Sequence, residues 1–222
     1  MFTVTTPTMW RCPGVFLQAI NNYIRSDFID EIIIINNDVS KTPSWPELRH
    51  HKIRLLNQEN NIFVNPAWNL GVAEARNDKI CIANDDIIFD MRLFAKMYDR
   101  VISSNGVHGI ITGEAIFGHP PTTDGSIDFD AWYPGPNIHS FGQLMFIHKS
   151  NWLPIIDGLN IYYGDDFIFH SQLCKGLTNY RIYNIHFFSP MAQTTSDKSL
   201  TEGFHEREYP IWANWFQQTP IM

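Results

Sequence analysis

The sequence has few cysteines and no long apolar segment. Its three cysteines, Cys12, Cys81 and Cys174, are an odd number without the paired spacing of a zinc site. This usage fits a reducing compartment better than a disulfide framework. No apolar run approaches the roughly 20 residues that cross a bilayer, and the first residues lack the basic and apolar regions of a secretory signal. We therefore expect a soluble, cytoplasmic protein with no transmembrane segment.

The sequence also lacks a cluster of basic residues. Its 16 Lys and Arg are scattered and are outnumbered by 23 Asp and Glu, which gives a formal net charge of −7. Such a chain does not attract polyanions in general, so a nucleic-acid partner is disfavoured, although it stays open. Repeats and low-complexity segments are missing as well. The length of 222 residues and the 44% hydrophobic content indicate one folded domain, 1–222.

Strand and helix patterns alternate over about the first 90 residues. Isoleucine-rich runs at 31–35 and 80–83 are typical of buried strands, and apolar residues recur on one helical face between Val15 and Ile24. Residues 2–5 are predicted to form a strand that Thr6-Pro7-Thr8 breaks. This alternation predicts an α/β fold whose mostly parallel central sheet is flanked by helices.

The remaining pattern predicts further elements with less regular spacing. Asn65 is predicted to cap a helix over 66–76, Asp90 a helix that reaches Ile102, and Gly176 to end a helix over 165–175. The other expected elements are strands at 52–56, 144–148 and 180–188, a long irregular loop at 118–137, and a tail helix that packs through Trp212, Trp215 and Phe216.

Polar residues follow three of the predicted strands, in the segments 5–11, 36–38 and 84–86. The carboxyl ends of parallel strands meet at one edge of a sheet, which is where open α/β sheets bind ligands. Asp85 and Asp86 offer hard oxygen donors for a divalent cation that holds phosphate oxygens. The alternative is that these acids only form a turn or cap the next helix, since Asp is common in both positions.

A fourth cluster, Gly164-Asp165-Asp166, precedes a predicted helix. The helix dipole alone favours acids at a helix start. The functional alternative is a general base, because a carboxylate near a metal site can accept a proton from an attacking hydroxyl.

The order of these motifs resembles the GT-A glycosyltransferases, and especially their inverting family-two type. The shared order is a Thr-Thr-Pro loop, a strand ending Asn-Asn-Asp, Asn-Pro-Ala-Trp-Asn-Leu-Gly, Ala-Asn-Asp-Asp, a Gly-Gln-Leu-Met-Phe-Ile-His-Lys strand and Gly-Asp-Asp. The resemblance covers about residues 3–190, and its specificity comes from the order, because each motif alone is weak. It implies a GT-A fold with a small mixed acceptor-side sheet, a nucleotide-binding half at 1–100, an acceptor and catalytic half at 101–190, and a C-terminal tail at 191–222.

The resemblance assigns donor-binding roles to residues of the first half. Asn84-Asp85-Asp86 matches the family's Asp-x-Asp signature, with Asp86 as the metal ligand and Asp85 on the donor sugar or ribose; Asn84 brings no charge, which weakens the case for metal dependence. Arg11 is a candidate for a donor phosphate or is simply an exposed arginine at a helix start. The other donor-side candidates are Thr5, Thr6 and Pro7 beside the base, Asp38 on the base or ribose, and Asn69 and Gly71 in the donor pocket.

The resemblance assigns the catalytic step to the second half. Asp166 matches the family's catalytic base, with Asp165 as its neighbour, although adjacent acids permit a shift of one position. A late histidine often joins the metal in this family, and His205 is favoured over His186 here. Trp132 and Tyr133 are candidates for stacking on an acceptor sugar ring.

The implied activity is transfer of a sugar, with inversion, from a nucleotide-diphosphate sugar to an acceptor hydroxyl, with Mn²⁺ or Mg²⁺ as cofactor. A UDP-sugar is favoured, and GDP and dTDP are open. The acceptor is a glycan, a lipid-linked sugar, a protein or a modified DNA base, the last disfavoured by the acidic charge balance. The alternatives are a nucleotidyltransferase, whose basic Gly-rich first loop is missing here, and an inactive sugar- or nucleotide-binding module.

Overall fold

Strands and helices alternate along the first half of the chain, as the apolar pattern predicted. The computed structural model describes residues 1–110, 116–117, 126–133, 141–190 and 201–219, with 116–117 described for the backbone alone. The strands are β1 (Phe2–Thr8), β2 (Ile29–Asn36), β3 (Ile53–Asn57), β4 (Lys79–Ala83), β5 (Ile88–Phe89), β6 (His108–Ile110), β7 (Ile116–Phe117), β8 (Asp128–Ala131), β9 (Leu144–His148), β10 (Tyr180–Tyr183) and β11 (His186–Phe188). The helices are α1 (Pro13–Arg25), α2 (Val64–Glu74), α3 (Arg92–Met97), α4 (Gly164–Cys174) and α5 (Phe204–Gln218).

The central sheet has eight strands in the order β3-β2-β1-β4-β9-β6-β10-β8. Strands β3, β2, β1 and β4 are parallel, β9 is antiparallel to both of its neighbours, β10 is parallel to β6, and β8 is antiparallel to β10. A second sheet, β5-β11-β7, is small and mixed. The predicted α/β fold with a mainly parallel central sheet and a small second sheet is confirmed.

The isoleucines of β2 explain why this strand lies inside the sheet. Ile32 and Ile34 are fully buried in the core on the α1 side, whereas Ile33 and Ile35 are fully buried in a second core on the other face. Because successive side chains of a strand point to opposite faces, an uninterrupted apolar run requires cover on both faces. α1 and α3 cover the first face, while α2, α4 and α5 cover the second.

The predicted break at Thr6-Pro7-Thr8 is wrong, because β1 continues through Thr8. Pro7 is tolerated although β1 lies in the middle of the sheet. The pairing of β1 with β4 ends at the pair Thr5–Ile82, so Pro7 lies beyond it, where its missing N–H takes no bond from that ladder. Thr5 and Thr6 therefore lie within the strand, and Thr8 is its last residue.

Asn65 does not cap α2, contrary to the prediction. The cap position is Phe63, with φ 64°, and Asn65 is fully buried inside the helix. Its backbone N–H and its Nδ2 donate to the carbonyls of Asn160 and Tyr162, at 3.0 Å each. A tertiary contact therefore uses the polar side chain that the sequence pattern assigned to the helix end.

Two other boundaries differ from the prediction. α3 ends at Met97, so the expected helix to Ile102 is too long. The strand expected over 180–188 is two strands, because Asn184 has a positive φ of 56° and separates β10 from β11. Most of the loop predicted at 118–137 lies outside the described residues, but β8 falls within it.

The predicted tail helix is confirmed as α5. Trp212, Trp215 and Phe216 pack in the second core, against residues of α2 and α4. No helix within the described residues is both long enough and apolar enough to cross a bilayer.

Candidate functional site

The polar segments after β1, β2 and β4 meet at one edge of the central sheet. The backbone N–H of Asn37 donates to the carbonyl of Thr8 at 2.9 Å, which joins the ends of β2 and β1. The hydroxyl of Thr8 donates to Oδ2 of Asp85 at 2.5 Å, which joins the ends of β1 and β4. Asp38, Thr8 and Asp85 therefore lie along one continuous edge.

The Gly-Asp-Asp segment reaches the same edge through the start of β9. The backbone N–H of Asn84 donates to the carbonyl of Gln143 at 3.0 Å. The two preceding residues, Gly142 and Phe141, donate backbone N–H groups to Oδ2 of Asp165, at 3.1 and 3.2 Å. These contacts connect the acids after β4 with the acids at the start of α4, which are about 80 residues apart in the sequence.

Asn36 is the polar centre of this edge, a role that the sequence analysis did not assign. It is fully buried, and its Oδ1 accepts from Trp10 Nε1 at 2.7 Å and from the backbone N–H of Asp38 at 3.2 Å. Its Nδ2 donates to Thr42 Oγ1 at 2.7 Å and to Asn57 Oδ1 at 2.8 Å. A fully bonded amide of this kind rigidifies its surroundings. The signal in the sequence was one amide directly after the isoleucine run of β2.

Asp85 is held in an environment that disfavours its charge. Burial raises the pKa of Asp85 to about 6, the hydrogen bond from Thr8 opposes this rise, and the neighbouring charge of Asp86 adds to it. The positive charge of Arg11 also lowers the pKa of Asp85. Arg11 is thus a positive charge close to the predicted donor site.

Asp86 has a buried carboxylate oxygen without a hydrogen-bond partner among the described residues. This oxygen is Oδ1, and the residue as a whole is 8% exposed. Burial raises its pKa, and hydrogen bonds from its own backbone N–H and from the Ser189 hydroxyl oppose the rise. Because an unpaired buried oxygen is costly, it is the kind of atom that a bound cation satisfies.

Asp38 lies at the rim of the edge, with both carboxylate oxygens engaged. Oδ1 accepts from the Ser40 hydroxyl and Oδ2 from Lys41 Nζ, at 2.6 Å each. The hydrogen bond from Lys41 is the largest of the contacts that hold the pKa of Asp38 below its usual value. Asp38 is therefore a fixed negative charge beside the end of β1.

Asp165 and Asp166 have different surroundings. Besides the two bonds to Oδ2, Oδ1 of Asp165 accepts from the backbone N–H of Asp166 at 3.2 Å. Burial raises the pKa of Asp165, and these backbone donors oppose that rise. Burial raises the pKa of the Tyr163 phenol, and the negative charge of Asp166 raises it further.

Thr5, Thr6 and Gly71 lie deeper than the edge. Thr5 and Thr6 are fully buried, as β1 runs past them. Gly71 is on α2, where an added Cβ would come within 1.8 Å of Thr5 Oγ1 and 2.8 Å of Thr5 Cβ. The close approach of α2 to β1 therefore explains this glycine by packing. Of the predicted Thr-Thr-Pro group, Pro7 lies nearest to the end of the strand.

Asn69 also lies on α2, and it binds the chain before α4. Its Nδ2 donates to the carbonyl of Ile155 at 2.9 Å, and its Oδ1 accepts from the N–H of the same residue at 2.8 Å. This paired contact holds the 155 region against the helix. Its observed partner, Ile155, thus lies in the half of the sequence that was predicted to bind the acceptor.

His205, at the start of α5, lies beside the Gly-Asp-Asp segment. Its Nε2 is 2.7 Å from the hydroxyl of Tyr163, the residue before Gly164. His186 is on β11, where its carbonyl accepts from the backbone N–H of Asp90 at 3.2 Å. Within the described residues, no three His, Cys, Asp or Glu side chains form a group that could hold a metal by themselves.

The two aromatic candidates for acceptor stacking differ in exposure. Trp132 is partly buried and stacks on Phe141 with ring centroids 5.5 Å apart, so it belongs largely to the core. Tyr133 is 67% exposed, and its hydroxyl is 3.1 Å from Thr178 Oγ1. Of these two residues, Tyr133 is the one that is mostly exposed to solvent.

Three solved structures with a similar fold share little sequence with this chain. Residues 1–349 of Staphylococcus aureus TarS, solved with UDP-GlcNAc, align with a TM-score of 0.63 and 10% identity over 95% of this chain and 65% of theirs. The mannosyltransferase PcManGT of Pyrobaculum calidifontis, solved with GDP-Man and Mn²⁺, aligns with a TM-score of 0.60 and 13% identity over 98% of this chain and 62% of its own. GalNAc-T7, solved with UDP, GalNAc and Mn²⁺, aligns with a TM-score of 0.61 and 12% identity over 85% of this chain and 43% of its own. The chain thus spans less than two thirds of each of these proteins, and the likeness shows the fold.

Sequence comparison identifies the family. No curated protein matches the chain at a significant level. The model of glycosyl transferase family 2 matches residues 4–151, which include most of β1, the acids after β4 and Gly142, whereas Asp165 and Asp166 lie beyond the match. Together with the GT-A fold of the structural neighbours, this match shows that the chain belongs to glycosyl transferase family 2.

Proposed function

We propose that the chain transfers a sugar from a nucleotide-diphosphate sugar to an acceptor hydroxyl, with inversion at the anomeric carbon. The observation that carries this proposal is the connection of two acidic segments at one sheet edge, from Asn84 through Gln143 and Gly142 to Asp165. An acid pair that can bind a cation and an acid that can accept a proton are the groups that this reaction needs.

The donor binds along the ends of β1, β2 and β4. We assign the base and ribose to the region of Pro7, Thr8 and Asp38, because the first two end β1 and the third lies directly beside them. Thr5 and Thr6 act from beneath, as buried residues that place the end of the strand. Arg11 offers a positive charge for the diphosphate. A UDP-sugar is the first candidate, and the neighbours solved with UDP-GlcNAc and with GDP-Man support nucleotide sugars as a class.

The residues after β4 fit a divalent cation. The unpaired Oδ1 of Asp86 is the proposed ligand, with Asn84 and Asp85 on the donor sugar or ribose. When bound, Mn²⁺ or Mg²⁺ would supply positive charge to the diphosphate leaving group. A site with few protein ligands suits such ions, since Mg²⁺ commonly takes one or two carboxylates together with substrate phosphates and waters. His205 is the second proposed ligand, and it would have to leave Tyr163 to serve.

Asp166 is the proposed base. It accepts the proton of the acceptor hydroxyl as the acceptor oxygen forms its bond to the anomeric carbon, while the bond to the diphosphate breaks and its electron pair leaves with the nucleotide. Asp165 already receives three backbone N–H groups, which supports a role as the anchor of α4 rather than as the base. Residues 1–100 thus serve the donor, and residues 101–190 the acceptor and the base.

Asp166→Asn tests the assignment. We expect its kcat for release of UDP from UDP-sugars, with Mn²⁺ and a panel of sugar acceptors, to fall by about 10³-fold, which is within the range of general-base catalysis. UDP affinity, measured by calorimetry, should change less than threefold. Asp157→Asn is the control, since Asp157 is exposed in the segment before α4. Full turnover by Asp166→Asn would reject the base, and pyrophosphate release from a nucleoside triphosphate and a sugar phosphate would instead indicate a nucleotidyltransferase.

A further inference from the structure

Glu208 is a buried carboxylate in the middle of α5. It is 1% exposed, although α5 is a surface helix with many polar residues. Its carboxylate receives three successive backbone N–H groups from the segment 160–162. Oε1 accepts from Asn160 at 2.8 Å and from Ile161 at 3.2 Å, and Oε2 accepts from Tyr162 at 2.7 Å and from Ile161 at 3.3 Å.

These three donors belong to the segment that leads directly into Gly164-Asp165-Asp166. Tyr163, the next residue, has a left-handed conformation with φ 59°, and non-glycine residues adopt it only where surrounding contacts hold them. An added Cβ at Gly164 would come within 2.1 Å of Asn65 Oδ1, so α2 approaches this turn closely. The chain therefore enters α4 through a turn that has little room to move.

The segment is held from two sides. On one side, α2 binds it through the backbone N–H and the Nδ2 of Asn65, which donate to the carbonyls of Asn160 and Tyr162. On the other side, α5 binds its N–H groups through Glu208. The carbonyls thus bond to one helix and the N–H groups to the other. Without Glu208, these three partly buried N–H groups would lose the acceptor that they share, and such groups are costly to leave unpaired.

We propose that Glu208 is a positioning residue for sugar transfer, which sets the direction of α4 and thereby the place of the Asp166 carboxylate. The inference rests on the proposed function of Asp166. It adds a role for α5, since Glu208 of this helix then controls the geometry of the reaction without contacting the substrate. A carboxylate is needed because its two oxygens accept all the N–H groups, whereas a glutamine amide offers one oxygen and turns its own N–H groups toward other donors.

The test compares Glu208→Gln and Glu208→Asp with Glu206→Gln in the whole chain. Glu206 lies two residues away on the same helix and is exposed, so its variant is the matched control. The number of UDP-binding sites per chain, from calorimetry with Mn²⁺, counts the folded molecules, and kcat is expressed per site. We expect kcat per site to fall by 10- to 100-fold in Glu208→Gln and by less in Glu208→Asp, with UDP affinity within twofold of wild type and Glu206→Gln unchanged.

A purely structural role predicts a different result. Loss of folded protein would lower the number of UDP sites and leave kcat per site unchanged, and that outcome overturns the inference. Hydrogen exchange gives a second measurement, in which residues 160–166 should exchange faster in Glu208→Gln while β1 and β2 keep their protection. Unchanged exchange in that segment would also overturn it. A wild-type chain without Asp166-dependent transfer would reject the proposed function itself and the inference with it, whereas an active wild type with full kcat in Glu208→Gln rejects the inference alone.

Discussion

The hydroxyl of Thr8 donates a hydrogen bond of 2.5 Å to Oδ2 of Asp85, across 77 positions of sequence. The same Oγ1 accepts from the backbone N–H of Trp10 at 2.9 Å. Thr8 therefore fixes the chain after β1 and orients one of the acids after β4. Its position at the centre of the edge makes it the first residue to test.

Thr8→Val keeps the shape of the side chain and removes its hydroxyl. We expect the affinity for UDP with Mn²⁺ to fall about tenfold, or about 1.4 kcal/mol, because Asp85 loses the donor that orients it and Trp10 loses its acceptor. Thr8→Ser keeps the hydroxyl and should stay within twofold of wild type. Calorimetric titration of both variants checks this. Equal affinities for the valine and serine variants would show that the bond does not contribute to donor binding.

Asp86→Asn removes the charge of the proposed metal ligand at nearly constant size. We expect the strengthening of UDP binding by Mn²⁺ to disappear, and EDTA to have the same effect on the wild-type chain. Asp99→Asn, at an exposed position, is the control and should bind as the wild type does. If Asp86→Asn still responded to Mn²⁺, the ion would have to bind elsewhere.

His205 is tested against its observed partner. If His205 is a metal ligand, His205→Ala should lower the affinity of the UDP complex for Mn²⁺ about tenfold. Tyr163→Phe removes only the hydroxyl that contacts His205, so it should leave that affinity unchanged. Titration of Mn²⁺ into the UDP-saturated proteins measures both. Equal effects of the two variants would mean that His205 acts by holding Tyr163, and its role as a ligand would be wrong.

Gly71→Ala places a methyl group where Thr5 lies. The clash at 1.8 Å is with a fully buried side chain, so we expect the free energy of unfolding to fall by about 2–3 kcal/mol. Thermal unfolding should show a midpoint lower by roughly 5–10 °C. Adding Thr5→Ala removes the nearest atom and should restore part of the loss. Gly14→Ala is the control, because nothing lies within 4 Å of its added Cβ. A similar midpoint for both alanine variants would contradict the packing argument.

The surroundings of Glu31 indicate that the stability of the fold depends on pH in the acidic range. It is fully buried at the opposite edge of the sheet, bonded to Thr3 Oγ1 at 2.7 Å, Arg54 at 2.9 Å and the backbone N–H of Arg76 at 2.8 Å. Burial alone raises the pKa of Glu31, but the hydrogen bonds from Arg76, Thr3 and Arg54 outweigh it, so the net pKa is lowered. A group with a lowered pKa in the folded state stabilises the fold above its unfolded pKa of about 4.3, and this contribution is lost as the pH falls through the lower folded value.

Glu31→Gln should therefore be less stable than the wild type at pH 7 and lose less stability between about pH 5 and 3. Urea unfolding at a series of pH values measures this difference. Glu59→Gln, at an exposed position, should follow the wild type. Parallel curves for wild type and Glu31→Gln would show that this carboxylate does not carry the acid sensitivity.

Much of the fold was predictable because it depends on local apolar patterns. The isoleucine run of β2 indicated a strand buried on both faces. Gly176 correctly predicted the end of α4, where its backbone has a positive φ of 70°. The errors came from residues whose local preference was overridden. Pro7 lies inside β1, at a position where β4 no longer pairs with that strand. Asn65 does not cap α2, because its side chain bonds to the segment before α4.

The candidate site also has one part that the sequence predicts and another that it does not. The sequence by itself determined that acids follow the strands, because residue order and strand direction are enough to put them on one edge. Only the tertiary structure decided which groups hold them there: Asn36 among the strand ends, Gly142 on Asp165, and Glu208 on the segment before α4. The physical reason is that these are hydrogen bonds between a side chain and a distant partner, often backbone, and they leave no periodic trace in the sequence. Packing of α2 and α5 against the sheet brings these partners together.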